Sequence, residues 1–169
     1  MRNIISSITD ESTKDFLEYL KYERRVSVNT VDSYGENLLL LKNYTNKDLI
    51  SLKKEDIKDF LDNVEATART KAHYLTVFNS FYKYLVFMDK IKSNPCDGIK
   101  APKLEKKLPT YLTNEEIAKL FNIRLTKPVD YRNKAILEVM YATGARIREV
   151  NNLEINQIEY DEWIIRVEG

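Results

Sequence analysis

What the chain lacks narrows it first. Its 169 residues hold no apolar run approaching the roughly 20 residues needed to span a bilayer. The opening MRNIISSITDES is too short and too polar for a secretory signal. A single cysteine, Cys96, excludes an internal disulfide and a cysteine-based zinc site, and agrees with a reducing cytoplasm. A single histidine, His73, excludes a histidine cluster and reads as a partly buried helix residue rather than a ligand. Internal repeats and low-complexity tracts are missing too. A large charge of one sign is also absent, because the formal net charge is only +1. What remains is a globular composition, 43% hydrophobic and 31% charged, which argues against disorder along the whole chain. The length suits one domain, or a small domain plus part of another.

The neutral total hides an uneven distribution. Residues 1–65 carry ten Lys/Arg against thirteen Asp/Glu, residues 66–107 nine against three, and residues 108–169 eight against ten. A basic belt therefore lies in the middle of the chain. Its commonest meaning is a solvated lysine-rich face, and a polyanion-binding surface is the alternative.

Helical spacing accounts for the first part of the chain. A first helix runs to about Arg24, with Thr9 and Ser12 as candidate caps and Phe16, Leu17 and Leu20 on one side. Ser27 or Asn29 starts a second, in which Val31, Tyr34, Leu38 and Leu41 keep the 3.6 period to about Tyr44. A third spans Lys54 to about Asn63 with Ile57, Phe60 and Leu61 inward. The fourth and longest spans about Ala68 to Met88, and its apolar set includes Leu75, Phe78, Phe81, Tyr82 and Leu85. Short connections between them predict a compact bundle. Then SNPCDGIKAPKLEKKLPTYL, with Pro95, Pro102, Pro109 and four lysines, has no helical period and reads as an extended linker. Beyond it Thr113-Asn114-Glu115-Glu116 is a capping box, a further helix spans about Tyr131 to Thr143, and Trp163 to Val167 reads as a strand. The expected organisation is residues 1–101, a linker at 102–112, and residues 113–169 as part of a second domain.

One stretch asks for chemistry. Gly144 ends a helix cheaply, because glycine accepts the left-handed backbone. Two residues later Arg146 opens a short amphipathic run, Ile147, Val150 and Leu153. An arginine is electrostatically misplaced at a helix start, where free N–H groups already carry positive character. Those N–H groups and a guanidinium together suit a phosphate. The plainer alternative is a helix-Gly-helix corner with Arg146 paired to Glu149.

The run Ala142-Thr143-Gly144-Ala145-Arg146-Ile147-Arg148-Glu149-Val150 resembles the tyrosine site-specific recombinases, phage integrases and Xer-type enzymes, at the segment bearing their first catalytic arginine. Arg148 stands where a small hydroxyl residue is usual, which adds positive charge beside that arginine. The order of FLEYLKYERRVSVNTVDSYGENL, LKKEDIKDFL, TARTKAHYLTVFNSFYKYL and the linker extends the resemblance from about Phe16 to Gly169. It implies a mainly α chain, a four-helix SAM-like core-binding bundle followed by the helical start of a mixed α+β catalytic domain.

The resemblance also implies double-stranded DNA as partner, with other recombinase protomers on the same site and no membrane. It puts Thr30, Tyr34, Thr67, Arg69 and Lys71 at the DNA, with Lys103, Lys106 and Lys107 across its backbone and Arg148 near the phosphate. For Thr30 and Thr67 plain helix capping is the alternative. Asn79 stands where a basic residue is common in the family, which weakens one expected contact. In the family a tyrosine attacks the phosphodiester to leave a 3′-phosphotyrosine, without metal or nucleotide. Arg146, supported by Glu149, would be one of two arginines gripping the phosphoryl oxygens; the nucleophile and remaining catalytic residues are expected beyond Gly169. None of the eleven tyrosines is assigned that role, since Tyr74, Tyr82, Tyr84 and Tyr141 sit at core spacing. The chain is thus expected to bind DNA without cutting it. A non-catalytic DNA-binding protein of recombinase descent and a helical protein-interaction module stay open beside this reading.

Overall fold

Helix starts are set by side chains that accept the first free N–H groups. The computed structural model describes Ile5, Ile8, residues 10–103, Leu108 and residues 110–167. Helix α1, Glu11–Tyr22, is capped by Asp10, whose carboxylate accepts the Thr13 N–H at 2.8 Å. Ser12, expected as a cap, is buried inside the helix instead, and Thr9 lies outside the described residues. The carboxylate two positions before Ser12 takes the cap, as an ionised acceptor forms the stronger bond. Helix α1 ends where Arg25 turns left-handed (φ 50°) and the Val26 N–H reaches back to the Leu20 carbonyl at 3.1 Å.

Helix α2, Val28–Thr45, starts on Ser27 and stops at Asn46, which takes the left-handed conformation that asparagine tolerates. A 3₁₀ turn, Leu49–Ser51, leads to α3, Lys54–Asn63. There Asp56 accepts the Lys53 N–H at 2.9 Å and pairs with Lys47 at 2.6 Å. These two contacts, the lysine first, hold the Asp56 carboxyl below its usual range. Helix α4, Ala68–Phe87, has no glycine or proline to interrupt its twenty residues, so it runs about 30 Å through the bundle.

The core follows from the apolar stripes of these helices. Phe16, Leu17, Leu38, Leu41, Ile57, Phe60, Val77, Phe78, Phe81, Tyr82 and Leu85 are fully buried. Phe16 meets Phe81 and Tyr84 at 5.4 Å each, and Phe60 meets Phe78 at 5.6 Å, in tilted or edge-on arrangements that suit aromatic quadrupoles. Tyr82 is buried without polar cost because its hydroxyl donates to the Leu49 carbonyl at 2.9 Å. Cys96 belongs to this core. Only 4% of it is exposed, and burial pushes its thiol up to about 12. The turn carrying it is fastened to α4, since Asn94 donates to Asn79 at 2.6 Å and accepts the Cys96 N–H at 2.9 Å.

The chain divides into two compact units, residues 1–106 and 107–169. The second is built from local contacts. Helix α5, Asn114–Phe121, has the expected capping box: the Thr113 N–H donates to Glu116 at 2.8 Å and the Glu116 N–H to the Thr113 hydroxyl at 3.2 Å. Helix α6 starts at Pro128, three residues before the expected Tyr131, and ends at Thr143. Proline suits a first turn, and Asp130 accepts the N–H groups of Thr126 and Lys127 at 2.9 and 2.8 Å. Helix α7 is Ile147–Asn151, followed by a 3₁₀ turn, Ile155–Gln157.

The expected strand at Trp163 to Val167 shrinks to β2, Ile164–Ile165, antiparallel to β1, Ile158–Glu159, with Ile158 opposite Ile165. Trp163 sits in the turn between them with φ 56° and 92% exposed, so its β propensity is overridden by the hairpin. Tyr141 is exposed as well, and touches Phe121 edge-on at 5.4 Å rather than entering a core. The described chain is mainly helical. Among the described residues no helix is long and apolar enough to cross a membrane.

Candidate nucleic-acid interface

The second turns of α2 and α4 meet. Tyr34, in the second turn of α2, stacks on Phe16 at 6.3 Å and presents its ring to His73, in the second turn of α4, edge-on at 6.4 Å. His73 is exposed in the structure, not partly buried as helical spacing suggested. Each helix begins with the same device. The Ser27 hydroxyl accepts the Thr30 N–H at 3.3 Å and lies 2.9 Å from the Thr30 hydroxyl. The Thr67 hydroxyl accepts the Thr70 N–H at 3.2 Å and lies 2.9 Å from the Thr70 hydroxyl. Thr67 is therefore a cap, whereas Thr30 is the residue that answers one. In both cases paired hydroxyls stand at a helix end whose dipole favours anions.

Around these ends the charge is positive. Arg69 is exposed in the first turn of α4. Lys71, half-buried, donates to the Asp62 carbonyl near the end of α3 at 3.2 Å. Lys103 is exposed just past Pro102, while Lys106 and Lys107 lie outside the described residues. Asn79 does not wait for a ligand, since it anchors the Asn94 turn. Lys71 also faces a cleft of about 540 Å³ that sequence reasoning did not single out, lined by Lys54, Lys58, Leu61, Asp62, Gly98, Ile99, Lys100 and Pro102. The four-residue spacing of Lys54 and Lys58 was the signal available, because it puts both on one face of α3. Nothing local marked Lys100 as their neighbour.

The second group of expected residues is in residues 107–169 and is described by itself. Gly144 caps α6 in the left-handed conformation (φ 69°), its N–H donating to the Met140 carbonyl at 2.9 Å. The Thr143 hydroxyl donates to the Val139 carbonyl at 2.6 Å and accepts the Ala145 N–H at 3.1 Å, which fixes the corner. Glu149 then grips Arg146 twice. One oxygen accepts the Arg146 backbone N–H at 2.7 Å, the other its Nη1 at 2.7 Å. The backbone bond first, then the guanidinium, hold the Glu149 carboxyl below its usual range. The plain i,i+3 pairing is thus present, yet it leaves the arginine outward: the Arg146 side chain is 83% exposed and the Glu149 side chain 13%. Arg148 is exposed on the same short helix. Among the described residues no cluster of His, Cys, Asp and Glu suits a metal ion.

Comparison with known proteins covers both units. Residues 13–87 match the family described as phage integrase, N-terminal SAM-like domain, and residues 110–169 match the phage integrase family. The chain is 32% identical over 163 residues to the tyrosine recombinase XerC of Natranaerobius thermophilus, covering 92% of this chain and 54% of that protein. It is 34% identical over 163 residues to the tyrosine recombinase XerC of Lacticaseibacillus casei, covering 91% and 55%. Its fold is similar to that of the integrase from mycobacterium phage Brujita, with a TM-score of 0.57, 18% identity, and 95% and 55% of the two chains covered. The chain spans about half the length of the curated relatives it matches. With the motif around Arg146 and both halves of the chain matched in order, the protein belongs to the phage integrase family of tyrosine recombinases.

Proposed function

We propose that this chain binds double-stranded DNA as the core-binding part of a tyrosine recombinase, with α2 and α4 toward the duplex. The observation that carries the reading is where the positive charge falls. The middle of the chain holds nine basic residues against three acidic, and part of that excess, Arg69 and Lys71, stands at the hydroxyl-capped start of α4. Hydroxyls, helix ends and cations are what phosphates need, and they fix register on a duplex without reading its sequence. Thr30 and Tyr34 belong to the same face, and Lys103, Lys106 and Lys107 follow the backbone along the linker. We place the division between the two functional parts within residues 102–112.

In this reading Arg146 holds phosphoryl oxygens of the scissile phosphate. Glu149 accepts from Nη1, the Arg146 side chain stays 83% exposed, and Arg148 adds charge beside it. Charge-assisted bonds of this kind stabilise negative charge that builds during phosphoryl transfer. Strand exchange itself, through a phosphotyrosine and with further protomers on the same site, belongs to the intact recombinase.

The test is fluorescence anisotropy of residues 1–169 titrated against random duplex at several salt concentrations. The expected result is binding whose log-log salt slope corresponds to several phosphates at about 0.9 per phosphate. Arg69→Ala with Lys71→Ala is expected to weaken binding and lower the slope by roughly 2. Absence of binding at low salt would overturn the reading and leave a helical protein-interaction module in its place.

A further inference from the structure

The lysine-lined cleft between α3, the start of α4 and the Gly98–Pro102 segment is not used by the helix-end contacts described above. Lys54, Lys58, Lys71 and Lys100 share it with one carboxylate, Asp62. Among the described residues none of these four lysines forms an ion pair, although Lys47, Lys90 and Lys134 all do. The cleft is shaped around its charges. Gly98 is left-handed (φ +73°), a conformation glycine adopts without strain, and a Cβ there would stand 2.9 Å from the Lys54 ammonium, which would have to shift. Four lysines around a concave site that holds a single carboxylate raise the local positive potential and draw an anion.

We propose that this cleft receives the sugar-phosphate backbone of the bound duplex, with Lys54, Lys58 and Lys100 as phosphate contacts. The proposal rests on the DNA-binding reading and adds a third wall to the surface, α3, which that reading does not use. Two features favour a polymer over a small anion. The volume, about 540 Å³, is several times what one phosphate group fills. The cleft also shares Lys71 with the proposed DNA face and includes Pro102, the residue before Lys103. Flexible ammonium groups hold phosphates as point charges, so the contact is independent of base sequence.

The experiment compares residues 1–169 with the variant Lys54→Gln, Lys58→Gln, Lys100→Gln, and with a control of equal charge loss at exposed lysines outside the cleft, Lys14→Gln, Lys92→Gln, Lys119→Gln. Circular dichroism and melting temperature establish that all three are folded. The cleft variant is expected to bind random duplex on the order of tenfold more weakly at low salt, with a slope lower by roughly 3, and the control much less. An unchanged slope in the cleft variant, with the parent still binding, overturns this proposal and leaves the DNA reading standing. Failure of the parent to bind overturns both. Inorganic phosphate at constant ionic strength separates the sources of phosphate. A rise in melting temperature that the cleft variant loses, together with an unchanged duplex slope, would make this a free-phosphate site and overturn the duplex contact.

Discussion

The two units of the chain are held together by different physics. In residues 1–106 twelve large side chains are fully withdrawn from water, and each fully buried aromatic or aliphatic residue is worth about 1.5–3 kcal/mol. In residues 107–169 not one described residue is buried, and large apolar groups such as Tyr111, Ile155 and Trp163 face solvent. What organises the second unit is a series of local hydrogen bonds: the Thr113–Glu116 box, Asp130 at the start of α6, the Thr143–Gly144 corner and the Arg146–Glu149 clasp. The proposed phosphate-gripping arginine therefore sits on a fastening, while the proposed duplex-binding helices sit on a core. Caps position a side chain well, but each contributes only about 0.5–2 kcal/mol.

The sharpest way to break that comparison is a pair of truncations. Phe81→Ala empties part of the core and is expected to cost about 3–5 kcal/mol in a denaturant titration, whereas Trp163→Ala should fall within about 0.5 kcal/mol of the parent. Equal losses would mean that the second unit hides a core of its own.

A smaller effect separates two glycines. Both Gly98 and Gly144 are left-handed, so alanine at either costs about 1–2 kcal/mol of backbone strain. A Cβ at Gly144 meets nothing within 4 Å, while at Gly98 it displaces Lys54. Gly98→Ala should therefore weaken duplex binding as well as stability, and Gly144→Ala should lower only the helix content of the second unit, seen by circular dichroism. If the two variants bind duplex alike, the Lys54 position is immaterial.

The smallest effect is an acid titration. Asp130 and Glu149 are held below their usual range by backbone N–H groups. A depressed carboxylate adds stability above its unfolded value, about 3.9 for Asp and 4.3 for Glu, and loses it as pH falls through the folded value. Amide spectra recorded from pH 6 downward should lose α6 and α7 below about pH 4 while α1–α4 persist. Simultaneous loss would show that the core gives the first unit no advantage. Asp56 is depressed as well, so the first unit softens in the same direction, but its buried aromatic residues do not titrate.

Much of the bundle was legible because its signals are short-range. Apolar residues at helical spacing located α1–α4, and Thr113 with Glu116 announced α5 from four residues. The motif around Gly144 and Arg146 carried both the corner and its clasp. The readings that missed depended on what lies across space. Asp10 outcompeted Ser12 as a cap once Ser12 was drawn into the core. His73 is exposed, with the Tyr34 ring edge-on to it. Nothing in the sequence linked Cys96 to Asn79, and the fold joins them through Asn94. Lys54 and Lys100 are forty-six positions apart in the numbering, with no local pattern to link them.

The buried Cys96 has a practical side. A thiol inside the first unit, with its ionisation pushed up to about 12, is shielded from alkylating reagents while the bundle is closed. Because it is the only sulfhydryl in the chain, its rate of modification is a built-in clock for opening of the bundle. Any cysteine introduced on an exposed face would, in turn, take a fluorescent label alone.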